Sequence, residues 1–420
     1  MQPRRLFIAD PGLTGLLGHH LGYSQSVAEA ALRVGIAPVV LAGEGFAGLI
    51  AGGAIPSRAT FRARYRNTGG GGAARRLLFA AASHLPNALA GVVAPPLRLL
   101  RQRLAGQIAS DTFAAELATV LTAEAADASD AVVLHTVSAA NLFGMLEVPA
   151  PEMVGEIWLV LRRAPEEMDL DDAAPQPILQ LLVRLASRFG ERLVLFADTE
   201  PLAAIFHTAT GLPVAPVPLP IVIPDVPARP GRVRPNVVFA GGARGEKGYR
   251  YLPAAIAACR DRARFTVQAG TIGPNDDPLV QRAHRALQRM AGPDLILIEG
   301  GLDPEAYLAL LADADLLFLP YDAAAYGPRS SGILGEALAL GIPAVVPSGC
   351  WMADAAGEDR AVLIRPDRPP AAALDAALQR LPALTEAAQA GAPAWRARHN
   401  PNSLLGAFLA GATPPKVAVD

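Results

Sequence analysis

Lysine is almost missing from this chain. Lys247 and Lys416 are the only two among 37 basic residues, and Lys416 lies in a Pro-rich tail, so the expected folded body keeps one lysine. Cysteine is as scarce. Cys259 and Cys350 are too few and too far apart for a disulfide framework or a zinc site, which points to a reducing compartment. No stretch reaches about 18 uninterrupted apolar residues, and the apolar run near the N-terminus is too short for a signal peptide, so a cytoplasmic location is expected. The net charge of -2 gives no general attraction to nucleic acid, and none is expected as a partner. No Gly-x-Gly-x-x-Gly opens the first strand-helix unit and no Gly-x-Ser-x-Gly occurs, which argues against dehydrogenase and hydrolase readings.

What is present is the composition of a globular enzyme, 51% apolar and 18% charged, and 420 residues exceed the usual size of one core. Short apolar runs alternate with longer Ala-rich helical segments, the pattern of parallel sheets covered by helices. In the first half the predicted strands are 6–9, 38–41, 131–134, 156–161 and 193–197. Seven prolines then fall between Pro213 and Pro230, where neither helix nor central strand can persist. This interval separates an N-terminal domain, 1–215, from a second, 235–394, with 216–234 as linker. The alternation restarts with strands at 236–240, 264–268, 295–299, 314–319, 344–347 and 361–364. A final helix over 395–412 is expected to cross back to the first domain. Residues 67–72 read as a flexible glycine loop, and those beyond Gly411 as a frayed tail.

Two segments carry chemistry. In the first, Tyr326-Gly-Pro-Arg329-Ser330-Ser331-Gly332, a turn leads into a helix whose only costly residue is Glu336, before Gly341 ends it. Ser330 or Ser331 can cap the helix start, and Gly341 suits the left-handed residue at its end. First-turn N–H groups facing a loop with Arg329 attract a diphosphate. A buried carboxylate about one turn further needs partners, which sugar hydroxyls supply. In the second segment, strand 236–240 enters Gly241-Gly242-Ala243-Arg244-Gly245-Glu246-Lys247-Gly248. Glycines let backbone approach an anion, and the two cations neutralise it. An ordinary turn with solvated charges is the plainer alternative. A lone ammonium in a chain that otherwise uses guanidinium favours a specific role.

In its order of segments the second half resembles the retaining GT-B glycosyltransferases of the large family that includes sucrose and trehalose-phosphate synthases and many bacterial polysaccharide enzymes. The matching signatures are the strand and Gly-Arg-x-x-x-Glu-Lys-Gly region at 239–248, the strand and loop at 295–302, the Ala-Asp-Leu-x-x-x-Pro at 314–320 and the Glu-Ala-x-Ala-x-Gly-x-Pro at 336–343. The match covers roughly 235–400, and in the first half it is architectural only. The resemblance implies an α/β GT-B fold, two Rossmann-like doubly wound domains facing a cleft. It also implies transfer of a sugar, with retention, from a nucleoside diphosphate sugar to a glycan or lipid-linked acceptor.

Carried over by position, Lys247 with Arg244 and Arg329 would meet the donor diphosphate beside the turn at Gly241 and Gly242. Ser330, Ser331 and Gly332 would bind the distal phosphate, Glu336 the ribose, and Gly300, Gly301 and Leu302 the base. No cofactor and no tethered metal are then required. Two positions depart from the pattern: Gly242 and Ala243 precede Arg244 where the family arginine directly follows a glycine, and Pro328 stands where the family has a glutamate that meets the transferred sugar. A nucleotide-sugar epimerase of the same architecture, or a catalytically silent nucleotide- or partner-binding protein, are the alternative readings.

Three further features remain. His135 ends a predicted strand, either pointing into the cleft near the donor sugar or hydrogen-bonded to a loop. Gly18, His19 and His20 lie in the first loop, as a donor or acceptor contact or as a surface pair. Asp169-Leu170-Asp171 contains the Asp-x-Asp of metal-dependent glycosyltransferases of another fold, although acids at a helix start explain it as well. Finally, the arginines between Arg58 and Arg103 fall in a stretch without acids. They are either solvated or a basic apolar patch that rests on an anionic membrane and favours a peripheral position at its inner face.

Overall fold

Runs of aliphatic and β-branched residues at regular intervals become strands because each is buried on both faces, so unbroken hydrophobicity replaces alternation. The computed structural model describes residues 2–15, 19–46, 48–62, 112–136, 138–146, 153–172, 176–223, 232–273 and 276–411. They divide into two units. One comprises the residues up to Val217 together with those from Leu405 on, and the other Pro218–Leu404.

The first unit holds β1 (Arg5–Asp10), β2 (Ala37–Gly43), β3 (Ser57–Phe61), β4 (Ala131–Leu134), β5 (Glu156–Leu161), β6 (Leu193–Ala197) and β7 (Val214–Pro216). They form one parallel sheet in the order β3-β2-β1-β4-β5-β6-β7. The second unit holds β8 (Asn236–Phe239), β9 (Arg264–Gly270), β10 (Leu295–Glu299), β11 (Leu316–Phe318), β12 (Ala344–Pro347) and β13 (Ala361–Ile364), parallel in the order β10-β9-β8-β11-β12-β13. In each sheet the chain winds outward from its first strand and then returns to that strand's other side. The reversal leaves a crevice beyond the carboxyl ends of β1 and β4 in one unit, and of β8 and β11 in the other.

All the expected strands are present, with small differences at their ends, and two more join the first sheet. β3 and β7 are its edges, and an edge tolerates Pro216 because one side of the strand needs no partner. The proline-rich interval is also less of a free linker than its composition suggests. Leu219 is buried in the second core, and its N–H donates to His399 Nδ1 at 3.0 Å.

The expected single helix over 395–412 is two helices, Leu381–Arg398 and Pro401–Ala410. His399 leaves helical geometry, and Asn400 then accepts from the Ser403 N–H at 2.9 Å to start the next helix. Trp395 belongs to the second unit, donating from Nε1 to the Gly335 carbonyl at 2.9 Å. The return to the first unit comes at Leu405, and Phe408, fully buried, packs on Trp158 and Phe196 with ring centroids 5.5 and 5.0 Å away. Residues 67–72, the arginines beyond Arg62 and the tail past Gly411 lie outside the described residues. Phe408→Ala is expected to lower the stability of the first unit by about 3–5 kcal/mol, the usual cost of emptying an aromatic core site, measured by urea denaturation. A loss under about 1 kcal/mol would contradict this anchoring.

Candidate functional site

In the second unit the crevice is built by the turns after β8 and β11. The β8 turn runs through Gly241 and Gly242 at φ +98° and +78°, a region costly for any residue with a Cβ. The Gly241 N–H donates to Gln268 Oε1 at 2.6 Å, and the Ala243 N–H to the Ala269 carbonyl at 2.6 Å, so the turn is tied to the end of β9. A Cβ on Gly241 would overlap both Ile333 Cδ1 and the Lys247 amine. Backbone, lysine and the first turn of the Gly332–Ala339 helix therefore meet at one point. Gly248, at φ +67°, is closed in by the Pro320 carbonyl just after β11, which fixes Lys247 at the crevice.

Lys247 is buried, its ammonium donating to the Gly241 carbonyl at 2.5 Å and lying 5.6 Å from the centre of the Tyr321 ring. Burial, with Arg244 and Arg329 nearby, lowers its pKa to about 7, and Glu246 only partly opposes this. Arg244 is half-exposed and reaches Glu246 at 3.2 Å. Arg329 stacks over Tyr326 at 4.8 Å, and its N–H donates to the Tyr326 carbonyl at 2.7 Å. Lysine, two arginines and a helix start thus form one cationic group. The expected diphosphate residues are brought together.

Ser331, rather than Ser330, caps the Gly332–Ala339 helix, accepting from the Leu334 N–H at 3.4 Å. Gly332 is exposed, with no atom within 4 Å of where a Cβ would stand, so the helix start is open. Gly341 takes the left-handed conformation, φ +66°. One turn along the helix, Glu336 sits at the margin of the core, partly open, and accepts from the Tyr307 hydroxyl at 2.6 Å. Burial raises its pKa to about 7 despite that bond. Gly300 turns at φ +87°, Gly301 is exposed, and Leu302 packs on the core before Asp303 caps the Pro304–Ala312 helix that carries Tyr307. Pro328 lies in the turn before the Gly332–Ala339 helix, so no carboxylate is offered at that position.

The first unit contains a polar cluster that sequence reasoning only partly anticipated. Asp10, at the end of β1, is fully buried and accepts from the Gly12 N–H at 3.0 Å, Ser24 Oγ at 3.1 Å and Thr136 Oγ1 at 2.6 Å, with His20 Nδ1 at 3.0 Å. A Cβ on Gly12 would overlap the His20 ring, so a larger residue there would have to displace the imidazole from Asp10. Burial opposes ionisation of Asp10, but the hydrogen bonds from His20 and Thr136 favour it, and its pKa falls below the usual carboxylate range. His135 is entirely buried, which lowers its pKa to about 3 and keeps it neutral. It stacks on Tyr23 at 4.2 Å and contacts Ser24 Oγ at 3.1 Å. His135 is therefore held by the loop and first helix rather than pointing into open space. Gly18 and the His19 side chain lie outside what is described, and His20 alone of that group is placed.

Sequence reasoning missed Asp10, Ser24, Tyr307 and Tyr321. Only Asp10 had a signal, as an acid closing an apolar strand. Asp169 accepts from the Ile178 N–H at 2.7 Å, the role of an acid at a helix start. Arg58 pairs with Glu124 at 2.7 Å, and the Arg62 N–H donates to Glu116 at 3.0 Å, so these two members of the basic stretch have local acidic partners. Among the described residues, no helix is long and apolar enough to cross a membrane.

Two parallel doubly wound sheets, each with polar side chains at its point of reversal, define the class of fold. No protein-family model and no curated protein matches the chain in sequence. Solved structures do match in shape. Sucrose-phosphate synthase from Thermosynechococcus elongatus is 12% identical with a TM-score of 0.62, each chain covered to 96%. Anabaena Alr3699/HepE, solved in complex with UDP and glucose, is 14% identical with a TM-score of 0.61, over 97% of this chain and 99% of that one. The calicheamicin glycosyltransferase CalG4 is 14% identical with a TM-score of 0.54 over the whole of both chains. The chain has the GT-B fold these proteins share.

The buried carboxylate makes a prediction about stability. Because the folded-state pKa of Glu336 is raised from 4.5 to about 7, its contribution is fully present below pH 4.5 and is lost as pH rises through 7. Glu336→Gln, which keeps an acceptor for Tyr307, is expected to be more stable than the parent at pH 8 by about 1–3 kcal/mol and nearly equal to it at pH 4.5, measured by thermal unfolding. Equal gaps at both pH values would contradict this.

Proposed function

We propose that the chain is a glycosyltransferase that moves a sugar from a nucleoside diphosphate sugar to a hydroxyl of a glycan or lipid-linked acceptor, with retention of configuration. One observation carries the reading. Within the second unit, a buried lysine, an open capped helix start and a desolvated carboxylate one turn along the same helix converge at the point of strand reversal. Each is costly or idle without a ligand, and a nucleoside diphosphate satisfies all three. Its phosphates meet Lys247, Arg244, Arg329 and the N–H groups at Ser331 and Gly332. Its ribose meets Glu336, and its base the Gly300–Leu302 turn. HepE has also been solved with UDP-glucose, so UDP sugars are the first donors to try.

Bond breaking at the anomeric carbon leaves negative charge on the departing diphosphate, and the fixed cations and helix start stabilise that charge as it develops. The acceptor oxygen forms the new bond on the face the diphosphate leaves, and the freed proton passes to the leaving phosphate oxygen. No cofactor is used and no protein base is assigned.

A thermal-shift panel of UDP, GDP, ADP and their glucose conjugates tests the donor site, since a ligand at about a hundredfold its Kd stabilises the fold by about 2.7 kcal/mol. One nucleotide series is expected to shift the melting point, and anomer-resolved NMR with an acceptor then reports transfer with retention. No shift from any nucleotide would overturn the proposal. Lys247→Ala is expected to weaken nucleotide-sugar binding at least about tenfold with the fold retained. Affinity is expected to peak near pH 7. Below it Glu336 gains a proton, and above it Lys247 loses one.

A further inference from the structure

We propose that Tyr307 is a positioning residue that orients the Glu336 carboxylate, so that the pair confers a preference for ribonucleotides over 2′-deoxyribonucleotides. This rests on the donor site proposed above. Tyr307 lies 29 residues from its partner and belongs to neither segment that signalled a site, yet its hydroxyl donates to Glu336 Oε2 at 2.6 Å, within the range of bonds to an ionised carboxylate. Among the described residues this is the one side-chain hydrogen bond that Glu336 receives.

A carboxylate has about four lone-pair sites, and one fixed donor stops it rotating while leaving the others for ligand hydroxyls. Burial and the neighbouring acid keep the Tyr307 hydroxyl protonated well above its ordinary range, so it remains a donor at any pH of interest. Its own position is fixed one turn earlier, where Asp303 Oδ1 accepts from the Ala306 N–H at 2.8 Å and sets the start of the helix. That helix begins directly after the Gly300–Leu302 turn. The turn assigned to the base and the carboxylate assigned to the ribose are thereby joined through Tyr307 into one rigid spacing. A nucleoside lacking the 2′-hydroxyl leaves a desolvated carboxylate short of a donor.

The test measures affinities for the tightest binder among UDP, GDP and ADP and for its 2′-deoxy counterpart, with the intact chain and with Tyr307→Phe, from pH 5.5 to 8.5. The parent is expected to favour the ribonucleotide by about tenfold or more. In Tyr307→Phe the preference is expected to shrink to about threefold or less. The acid limb of the profile is also expected to move to higher pH, because the bond that holds the Glu336 pKa down is gone. A variant that merely loosens packing would weaken both nucleotides equally and leave the pH midpoint in place, and that result overturns the inference while leaving the donor site standing. A parent that binds none of the nucleotides overturns both. Glu336→Gln in the same series is expected to remove the pH dependence of the acid limb, and retention of that limb would overturn the assignment to this carboxylate.

Discussion

Everything distinctive about the second unit depends on desolvating two opposite charges that do not pair with each other. Lys247 hydrogen-bonds a backbone carbonyl and lies over an aromatic ring, and Glu336 is held by a phenol. Removing either charge from water costs several kcal/mol even after relaxation, and neither arrangement recovers it in full. Both groups accordingly sit near half-ionisation at neutral pH. Apolar residues would be cheaper for stability alone, and the placement of these two charges at the reversal of a doubly wound sheet is what the proposed ligand rests on.

The same topology operates in the first unit with different chemistry. Asp10 and His135 end adjacent strands; hydrogen bonds from Gly12, Ser24 and Thr136 favour the carboxylate, while burial keeps the imidazole neutral against the pull of Asp10. Here the polar groups satisfy one another. The contrast separates a buried polar network whose members satisfy one another from a pair of desolvated charges held by neutral groups.

The sheets were largely legible from the chain because parallel strands buried on both faces read as continuous apolar runs. β3 escaped because its exposed Arg58 and Ala59 interrupt that pattern, and β7 because proline disguises an edge. The Lys247 turn and the Glu336 helix were legible because each is a local motif, a glycine turn with a cation or a capped helix with one acid. Tyr307 was not, since its role arises from a contact between helices that no local pattern encodes. His135 does follow the end of its strand as expected, but its contact with Asp10, more than a hundred residues earlier, has no local signal. The break at His399 was hidden for a related reason: its imidazole completes a backbone bond to Leu219 across 180 residues.

The central claim is that one nucleoside diphosphate satisfies the buried charges of the second unit. A crystal structure with the best-binding nucleoside diphosphate tests it most directly. The account predicts phosphate oxygens within hydrogen-bond distance of Lys247 Nζ and of the N–H groups at the start of the Gly332–Ala339 helix, with the ribose hydroxyls on Glu336. A nucleotide bound elsewhere, or bound in this crevice with its ribose away from Glu336, would contradict it.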